Sequence, residues 1–560
     1  MAIKKIKKKT QKKKKNRKYI FVIGGVMSGV GKGITTASIG QILKSAGHKV
    51  CLSKVDPYLN VDAGTMNPTE HGEVFVMDSG LETDQDMGNY ERFLDRDLHS
   101  TDYLTSGMIY KHVIEKERNL GFEGRCVEAI PDIRDEIISR YKKTANENDA
   151  EISIIEIGGT VGDYQNVMFL EAARVLQVQK PNDVKFIMVS YLPVPGKLGE
   201  MKTRPTQNAV RQLNSYGIHA NFLIARSEQP LDKKRKEKIS VTCNIPINNV
   251  ISAPDIDSIY DVPLNFEKDQ IGRMISNELG LPYKKSKMNS WRKFVGKIKK
   301  AKSGGNKIKI ALVGKYFDTG EFTLSDSYLS VIEAIKYSAY NHLVDIELSW
   351  INSKKYDENP KLVSELNNFD GVIVPGGFGE KGIEGKIAVI KYARENKIPY
   401  LGLCYGMQLL VIEYARNVAK IKDANTAEIK KSGNLVIDIM EEQARKLAQK
   451  NYGGSMRLGS YPATLKKGTI AYDAYKKIAI SERHRHRYEV NPKFIEELEK
   501  AGLVFSGTSP DGLLMEIAEI KKEEHPFMLG TQFHPEFKAR PISPHPLFNQ
   551  FVKTILDNLK

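Results

Sequence analysis

The residues of this sequence best suited to chemistry are a cysteine between glycines, Gly402-Leu403-Cys404-Tyr405-Gly406, and the triplet His534-Pro535-Glu536. An apolar stretch from Ile398 to Leu403 precedes Cys404 and a helical-looking sequence follows it, giving the strand–turn–helix of a nucleophile elbow. A helix amino terminus favours the thiolate form of a cysteine placed on it. A thiolate that attacks a carbonyl needs a base, and His534 can take and return the proton while Glu536 orients the imidazole. It also needs donors for the oxyanion, and Val374-Pro375-Gly376-Gly377-Phe378-Gly379 offers glycine amides at another strand end. Each piece alone has a structural explanation, as a buried cysteine, a core histidine or a loop glycine; together they specify amide hydrolysis.

A second cluster, near the amino terminus, suits phosphate. The segment Gly24-Gly25-Val26-Met27-Ser28-Gly29-Val30-Gly31-Lys32-Gly33 follows an apolar strand and opens a helical stretch from Ile34 to Ala46. Glycines let amide hydrogens turn inward, the helix terminus adds positive potential, and Lys32 supplies a point charge. The segment departs from a strict Walker A motif: its glycine spacing is one residue too long, and Gly33 stands where a metal-binding hydroxyl would be. Mg²⁺ would then need carboxylates from other strand ends. Asp86, and Glu156 at the end of the apolar run Ile152–Ile157, are the candidates, because a charge completing such a strand is costly in a core unless it meets a ligand. Asp84 reads as an exposed loop acid.

Two α/β domains are needed to position these clusters. With 560 residues the chain exceeds a single core. Apolar strands at Tyr19–Ile23 and Ile308–Val313 each follow a basic segment and begin a domain. Beyond them, apolar runs (Ile152–Ile157, Val184–Ser190, Asn221–Ala225; Gly371–Val374, Pro399–Leu403) alternate with helical segments, the pattern of doubly wound parallel sheets that bind ligands at the carboxyl ends of their strands. The expected organisation is a disordered basic tail at 1–18, a P-loop-like domain at 19–283, a linker at 284–307 and a second α/β domain at 308–560. Trp291 and Phe294 imply that part of the linker docks as a helix.

The net charge of +17 raises nucleic acid as a partner, but it is local. Met1–Lys18 and Tyr283–Lys307 hold more than the whole excess and no acid, leaving a slightly acidic remainder, so nucleic-acid binding is not expected. No apolar stretch has the length of a signal peptide core or a membrane span. Four widely spaced cysteines (Cys51, Cys126, Cys243, Cys404) fit free thiols in a reducing cytoplasm.

The elements Gly402–Gln408 and His534–Glu536 resemble those of the class I glutamine amidotransferases. The first half narrows the resemblance. Asp56-Pro57-Tyr58, Gly64-Thr65-Met66, His71–Val76, Glu156–Asp163, Lys202–Gln207 and Arg483–Asn491 look like the CTP synthase family, from about Tyr19 to near the C-terminus. That resemblance implies a dethiobiotin-synthetase-like N-terminal domain joined to a class I glutaminase. It implies amination of UTP to CTP at the expense of ATP, through a 4-phosphorylated UTP, with ammonia drawn from glutamine. By the same resemblance, Gly29, Val30, Gly31, Lys32, Gly33, Lys54 and Asp86 would hold ATP, and Asp86 and Glu156 would hold Mg²⁺. Ser28, Asp163, Tyr164, Gln165, Lys202, Thr203, Arg204, Pro205, Thr206, Gln207 and Lys238 would bind UTP or CTP. Gly377, Tyr405, Gly406, Met407, Gln408, Glu428 and Arg487 would bind glutamine, Arg487 by pairing with its α-carboxylate. Activation by GTP, feedback inhibition by CTP and a homotetramer built as a dimer of dimers are further implications, with filaments left open.

The chain departs from the family pattern at four places. Tyr405 replaces a common Leu, and its amide still serves the oxyanion. Gly29-Val30 replaces Ser-Leu, Tyr164-Gln165 replaces Ile-Glu in the inhibitory CTP site, and Leu192-Pro193-Val194 differs as well. The competing enzyme, a cofactor amidase of the cobyrinic acid type, lacks a reason for Lys202–Gln207. A regulatory scaffold with a dead glutaminase lacks a reason for an intact Cys404, His534 and Glu536.

Overall fold

The computed structural model describes residues 16–67, 72–196, 199–285, 288–314, 325–439 and 456–560. The expected tail therefore lies outside the described residues as far as residue 15, and His71 of the His71–Val76 motif lies outside them too. The chain forms two compact units that do not follow its order. One takes residues up to Leu59 together with Leu104–Lys287, and the other takes Asn60–Tyr103 together with Met288–Lys560.

Strands β1 (Lys18–Gly25) and β2 (Val50–Asp56) come first, then the antiparallel pair β3 (Phe75–Val76) and β4 (Glu82–Thr83). After them come β5 (Tyr103–Thr105), β6 (Ile152–Ile157), β7 (Val184–Tyr191), β8 (Phe222–Ser227) and β9 (Val250–Pro254). The first unit is built on a seven-stranded sheet in the order β5-β2-β6-β1-β7-β8-β9, and every pair from β2 to β9 is parallel. Helices cover both faces of such a sheet, so β1, β2 and β6 are buried along their whole length and read as continuous apolar runs. Lys18 belongs to β1 and pairs with Asp183 at 2.7 Å, so the last residue of the expected tail is part of the first sheet.

The second unit continues with β10 (Lys307–Gly314), β11 (Asp345–Asn352), β12 (Gly371–Val374), β13 (Tyr400–Leu403), β14 (Asn425–Thr426), β15 (Leu435–Ile439), β16 (Arg457–Leu465), β17 (Ala479–His486), β18 (Tyr488–Val490), β19 (Val504–Thr508), β20 (Met515–Glu519) and β21 (Met528–Thr531). Its nine-stranded sheet runs β11-β10-β12-β13-β21-β20-β19-β16-β17. The half from β11 to β21 is parallel, and the half from β21 to β17 is antiparallel. Strands β14, β15 and β18 form a small separate sheet. The expected linker contains a helix, Asn289–Ser303, whose Trp291 is fully buried with its ring 4.9 Å from that of Phe93. Its apolar face (Trp291, Phe294, Val295, Ile298) packs inward while its lysines face solvent.

Candidate active site

Cys404 sits where β13 stops and the helix Tyr405–Asn417 starts, with φ 49° and ψ −96°. A non-glycine residue is strained at that positive φ and persists only where its surroundings hold it. They do: the Cys404 N–H donates to Thr531 O at 2.6 Å, and Gln408 N–H donates back to Cys404 O. Glycines permit the close approach this requires. A Cβ on Gly406 would lie 2.3 Å from Val374 O, and one on Gly402 would lie 2.7 Å from the Gly406 backbone. The helix amino terminus is thereby drawn against β12 and β13 with the thiol at the carboxyl edge of the sheet.

His534 and Glu536 follow β21, the strand beside β13. His534 Nδ1 and Glu536 Oε1 are 2.7 Å apart, and the imidazole stacks on Phe537. Burial alone would lower the pKa of His534, but Glu536 and then Cys404 outweigh it and raise it to about 10. Nε2 is buried with no hydrogen bond among the described residues, leaving it for the thiol and a reacting group. The three chemistry-bearing residues thus form one site: a nucleophile on a strained turn, a base that keeps its proton readily, and a carboxylate that fixes the ring.

A cavity of about 840 Å³ opens on Cys404 and is lined also by Gly377, Tyr405, Gln408, Glu428 and Arg487. The expected glutamine contacts are therefore gathered, except that Gly406 and Met407 lie buried behind the wall. Gln408 is tied to the same wall, its Nε2 donating to Tyr488 O at 2.9 Å. Glu428 accepts the Gly379 N–H at 2.7 Å. The Glu428 carboxylate and the Arg487 guanidinium on one wall suit the two charged ends of an amino acid.

Sequence reasoning missed three contributors. Gly64, Thr65, Met66 and Asn67 line the same cavity, although they come from the first half of the chain. Arg485 lines it as well, held by Glu82 at 2.7 Å, and Gln532 approaches Cys404 Sγ at 3.8 Å. Beneath them lies Arg483, completely buried, with Glu91 and Asp97 as ion-pair partners at 2.9 and 3.0 Å and a further short contact to Asp78. Arg540 reaches the same two acids, Glu91 at 2.6 Å and Asp97 at 2.7 Å. The carbonyl of Arg483 accepts the His534 N–H at 2.7 Å, so this charged core is one bond from the base. Gly64–Met66, Arg483 and Arg485 stand inside family-like motifs, whereas nothing in the sequence marks Asn67, Gln532, Glu91, Asp97 or Arg540 or hints at the long-range pairing.

The phosphate-type residues gather in the other unit, at the carboxyl ends of β1, β2 and β6. Gly31 caps the helix Lys32–Ser45 at φ 91°, a left-handed conformation that glycine tolerates. Ser28 and Gly29 are exposed on the turn while Val30, Lys32 and Gly33 are buried. Lys32 Nζ donates to Gly159 O at 2.8 Å. Lys54 and Glu156 stand opposite each other on β2 and β6 and pair at 2.9 Å, with Asp56 3.8 Å from the same ammonium. The Glu156 carboxylate, buried and balanced by one lysine, is an oxygen donor of the kind Mg²⁺ takes. Asp86 lies in the second unit, in the first turn of the helix Gln85–Leu94, whose cap is Asp84, so Asp84 has a structural duty. No cluster of three metal-ligating side chains occurs among the described residues.

Asp163 accepts from the Thr160 amide at 2.6 Å, and Tyr164 and Gln165 beside it are exposed, Tyr164 at 96%. Thr203 precedes the helix Arg204–Ser215, which has Pro205 in its first turn. Gln207 donates to Thr203 Oγ1 at 3.1 Å, and Thr206 Oγ1 lies 2.8 Å from Ser190 Oγ, so these three fix the helix start on β7 and leave exposed Arg204 free to reach outward. Lys202 pairs with Glu200 at 2.6 Å. Lys202 first, and more weakly Arg235 and Lys238, hold the Glu200 carboxyl below its usual range.

Residues 18–281 match the family model for the CTP synthase N-terminus, and residues 323–554 match that for class-I glutamine amidotransferase. A CTP synthase of Caldanaerobacter subterraneus is 49% identical over 97% of this chain and 99% of its own length. The chain belongs to the CTP synthase family. A CTP synthase of Pyrococcus abyssi is 48% identical over 96% of this chain and 97% of its own. Among solved structures, a Trypanosoma brucei CTPS glutaminase domain with bound acivicin is 34% identical over 45% of this chain and 94% of its own, with a TM-score of 0.41. No helix among the described residues is long and apolar enough to cross a membrane.

Proposed function

We propose that this chain converts UTP to CTP, consuming ATP and taking the amino group from glutamine. The observation that supports this reading is Cys404 on its strained turn, with His534 and Glu536 2.7 Å apart, beside a cavity of about 840 Å³ that is ample for glutamine. The Cys404 thiolate adds to the glutamine amide carbon, and amides of the Gly376–Gly379 turn and Tyr405 receive the charge on oxygen. His534 protonates the departing nitrogen, so neutral ammonia leaves and a thioester remains. His534 then takes a proton from water, the thioester is hydrolysed, and glutamate departs with the thiolate restored.

In the synthetase half, oxygen at C4 of uracil is a poor leaving group, and transfer of a phosphoryl group from ATP makes it a good one. Ammonia adds at C4 and phosphate leaves, giving CTP, ADP and phosphate. Lys32 and the Ser28–Gly33 turn would hold the ATP phosphates, with Lys54 alongside. Glu156 and Asp86 would hold Mg²⁺, which neutralises phosphate charge when bound. Asp163, Tyr164, Gln165, Lys238 and the Lys202–Gln207 segment would hold UTP or CTP. Gly377, Glu428 and Arg487 would hold glutamine. The proposal extends to activation by GTP, feedback by CTP weakened where Tyr164 and Gln165 stand, and a homotetramer. Incubation with Mg²⁺, ATP, UTP and glutamine, followed by chromatography, should yield CTP; untouched UTP, even with abundant ammonium, would overturn it.

A further inference from the structure

The Tyr405 side chain, and not only its amide, has a place in the glutaminase site. Its ring is buried and its Cδ1 lies 3.8 Å from where a Cβ on Gly377 would be, so it backs the turn that carries the oxyanion donors. Its hydroxyl donates to Gly379 O at 3.2 Å, while the N–H of the same Gly379 donates to Glu428 at 2.7 Å. Gly379 has φ 77°, a conformation open to glycine, and because a glycine backbone is otherwise mobile, bonds at both of its polar groups are what fix it. Lys386, buried, sits with Nζ over the ring, 5.2 Å from its centroid, and holds the ring by its face. Burial, and next the charge of Glu428, push the phenol far above its ordinary range, so the hydroxyl keeps its proton and stays a donor.

Glu428 has two claims on it: it is a carboxylate lining the cavity that can receive a substrate ammonium, and it is also the partner of Gly379 N–H. A turn held by Glu428 alone would lose its anchor as substrate binds.

We propose that the Tyr405 hydroxyl is a positioning group for the oxyanion turn, keeping Gly376–Gly379 in register when Glu428 is drawn to the substrate. A side chain without the hydroxyl fills the wall but removes the hydrogen bond to Gly379 O. The inference rests on the glutamine-hydrolysing reading of Cys404.

The test compares Tyr405→Phe, Tyr405→Leu and Cys404→Ala in the full chain, with glutamine hydrolysis, ammonia-driven CTP formation and alkylation of Cys404 by iodoacetamide all measured. Tyr405→Phe should lower kcat for glutamine about fivefold, the worth of one neutral hydrogen bond, with KM changed less than about twofold. Tyr405→Leu should fall at least as far, while alkylation stays at the wild-type rate. Ammonia-driven synthesis reports the other unit and checks that each variant is folded. A wild-type kcat in Tyr405→Phe overturns the proposal, as does a loss confined to KM or a parallel loss of alkylation rate. Glutamine hydrolysis persisting in Cys404→Ala would instead overturn the reading beneath it.

Discussion

At the scale of single residues, a division of labour between the two clusters is the most direct expectation. Cys404→Ala should abolish glutamine-driven CTP formation and leave synthesis from added ammonia within about twofold, because only the source of nitrogen is lost. Lys32→Ala should depress both routes by a factor of ten or more, because Lys32 is the cation of the phosphate turn. Steady-state assays with glutamine and with ammonium chloride read both. The imidazole of His534 adds a pH dependence. Its pKa rises from 6.5 to about 10 on folding, so the stability it contributes is complete below pH 6.5 and is lost as pH climbs through 10. Melting temperatures of wild type and His534→Gln should accordingly converge between pH 7 and 10.5. The triad was legible in the sequence because each member is a residue type with a chemical vocation at a fixed offset: Gly-x-Cys-x-Gly, His-Pro-Glu. Arg483 was not, since its partners Glu91 and Asp97 are 392 and 386 residues away, and nothing local marks a long-range ion pair.

At the scale of elements, strands were legible to within a residue or two wherever burial on both faces writes a continuous apolar run. Ile152–Ile157 and Gly371–Val374 coincide with β6 and β12, while Val184–Ser190 and Asn221–Ala225 shift only at their ends. The antiparallel half of the second sheet left no comparable trace, because β16 and β17 alternate buried and exposed positions, interrupted by charge. The helix Gln85–Leu94 matters more than its length suggests: its Glu91, wholly buried, meets both Arg483 and Arg540. Glu91→Ala would remove the wholly buried acid that two buried guanidinium groups share and leave them on half-exposed Asp97, at a cost of about 3 kcal/mol. Calorimetry should then place the transition of the glutaminase unit roughly 10 °C lower, and glutamine-driven turnover should fall more than ammonia-driven turnover. An unchanged transition would mean that the acids serve charge balance alone.

At the scale of the whole molecule, the expected boundaries at 283 and 308 follow composition, whereas the compact units follow packing. Composition places Asn60–Tyr103 in the first half because the chain enters it from β2 and leaves it into β5. Packing assigns it to the second unit, because Glu73 bonds to Ser330, Glu82 to Arg485 and Phe75 to Phe537. The backbone consequently passes from one unit to the other three times, after Leu59, Tyr103 and Lys287. Severing it once does not release a free glutaminase. Trypsin acting at exposed Lys284 or Lys285 should give two bands on a denaturing gel but one peak by gel filtration, with glutamine hydrolysis retained. The amino-terminal fragment would still supply Glu91 to Arg483 and Gly64 to the wall beside Cys404, so the cut ends would belong to interleaved peptides. The same connectivity makes a gene split at this point a workable two-polypeptide enzyme, provided both pieces are made together.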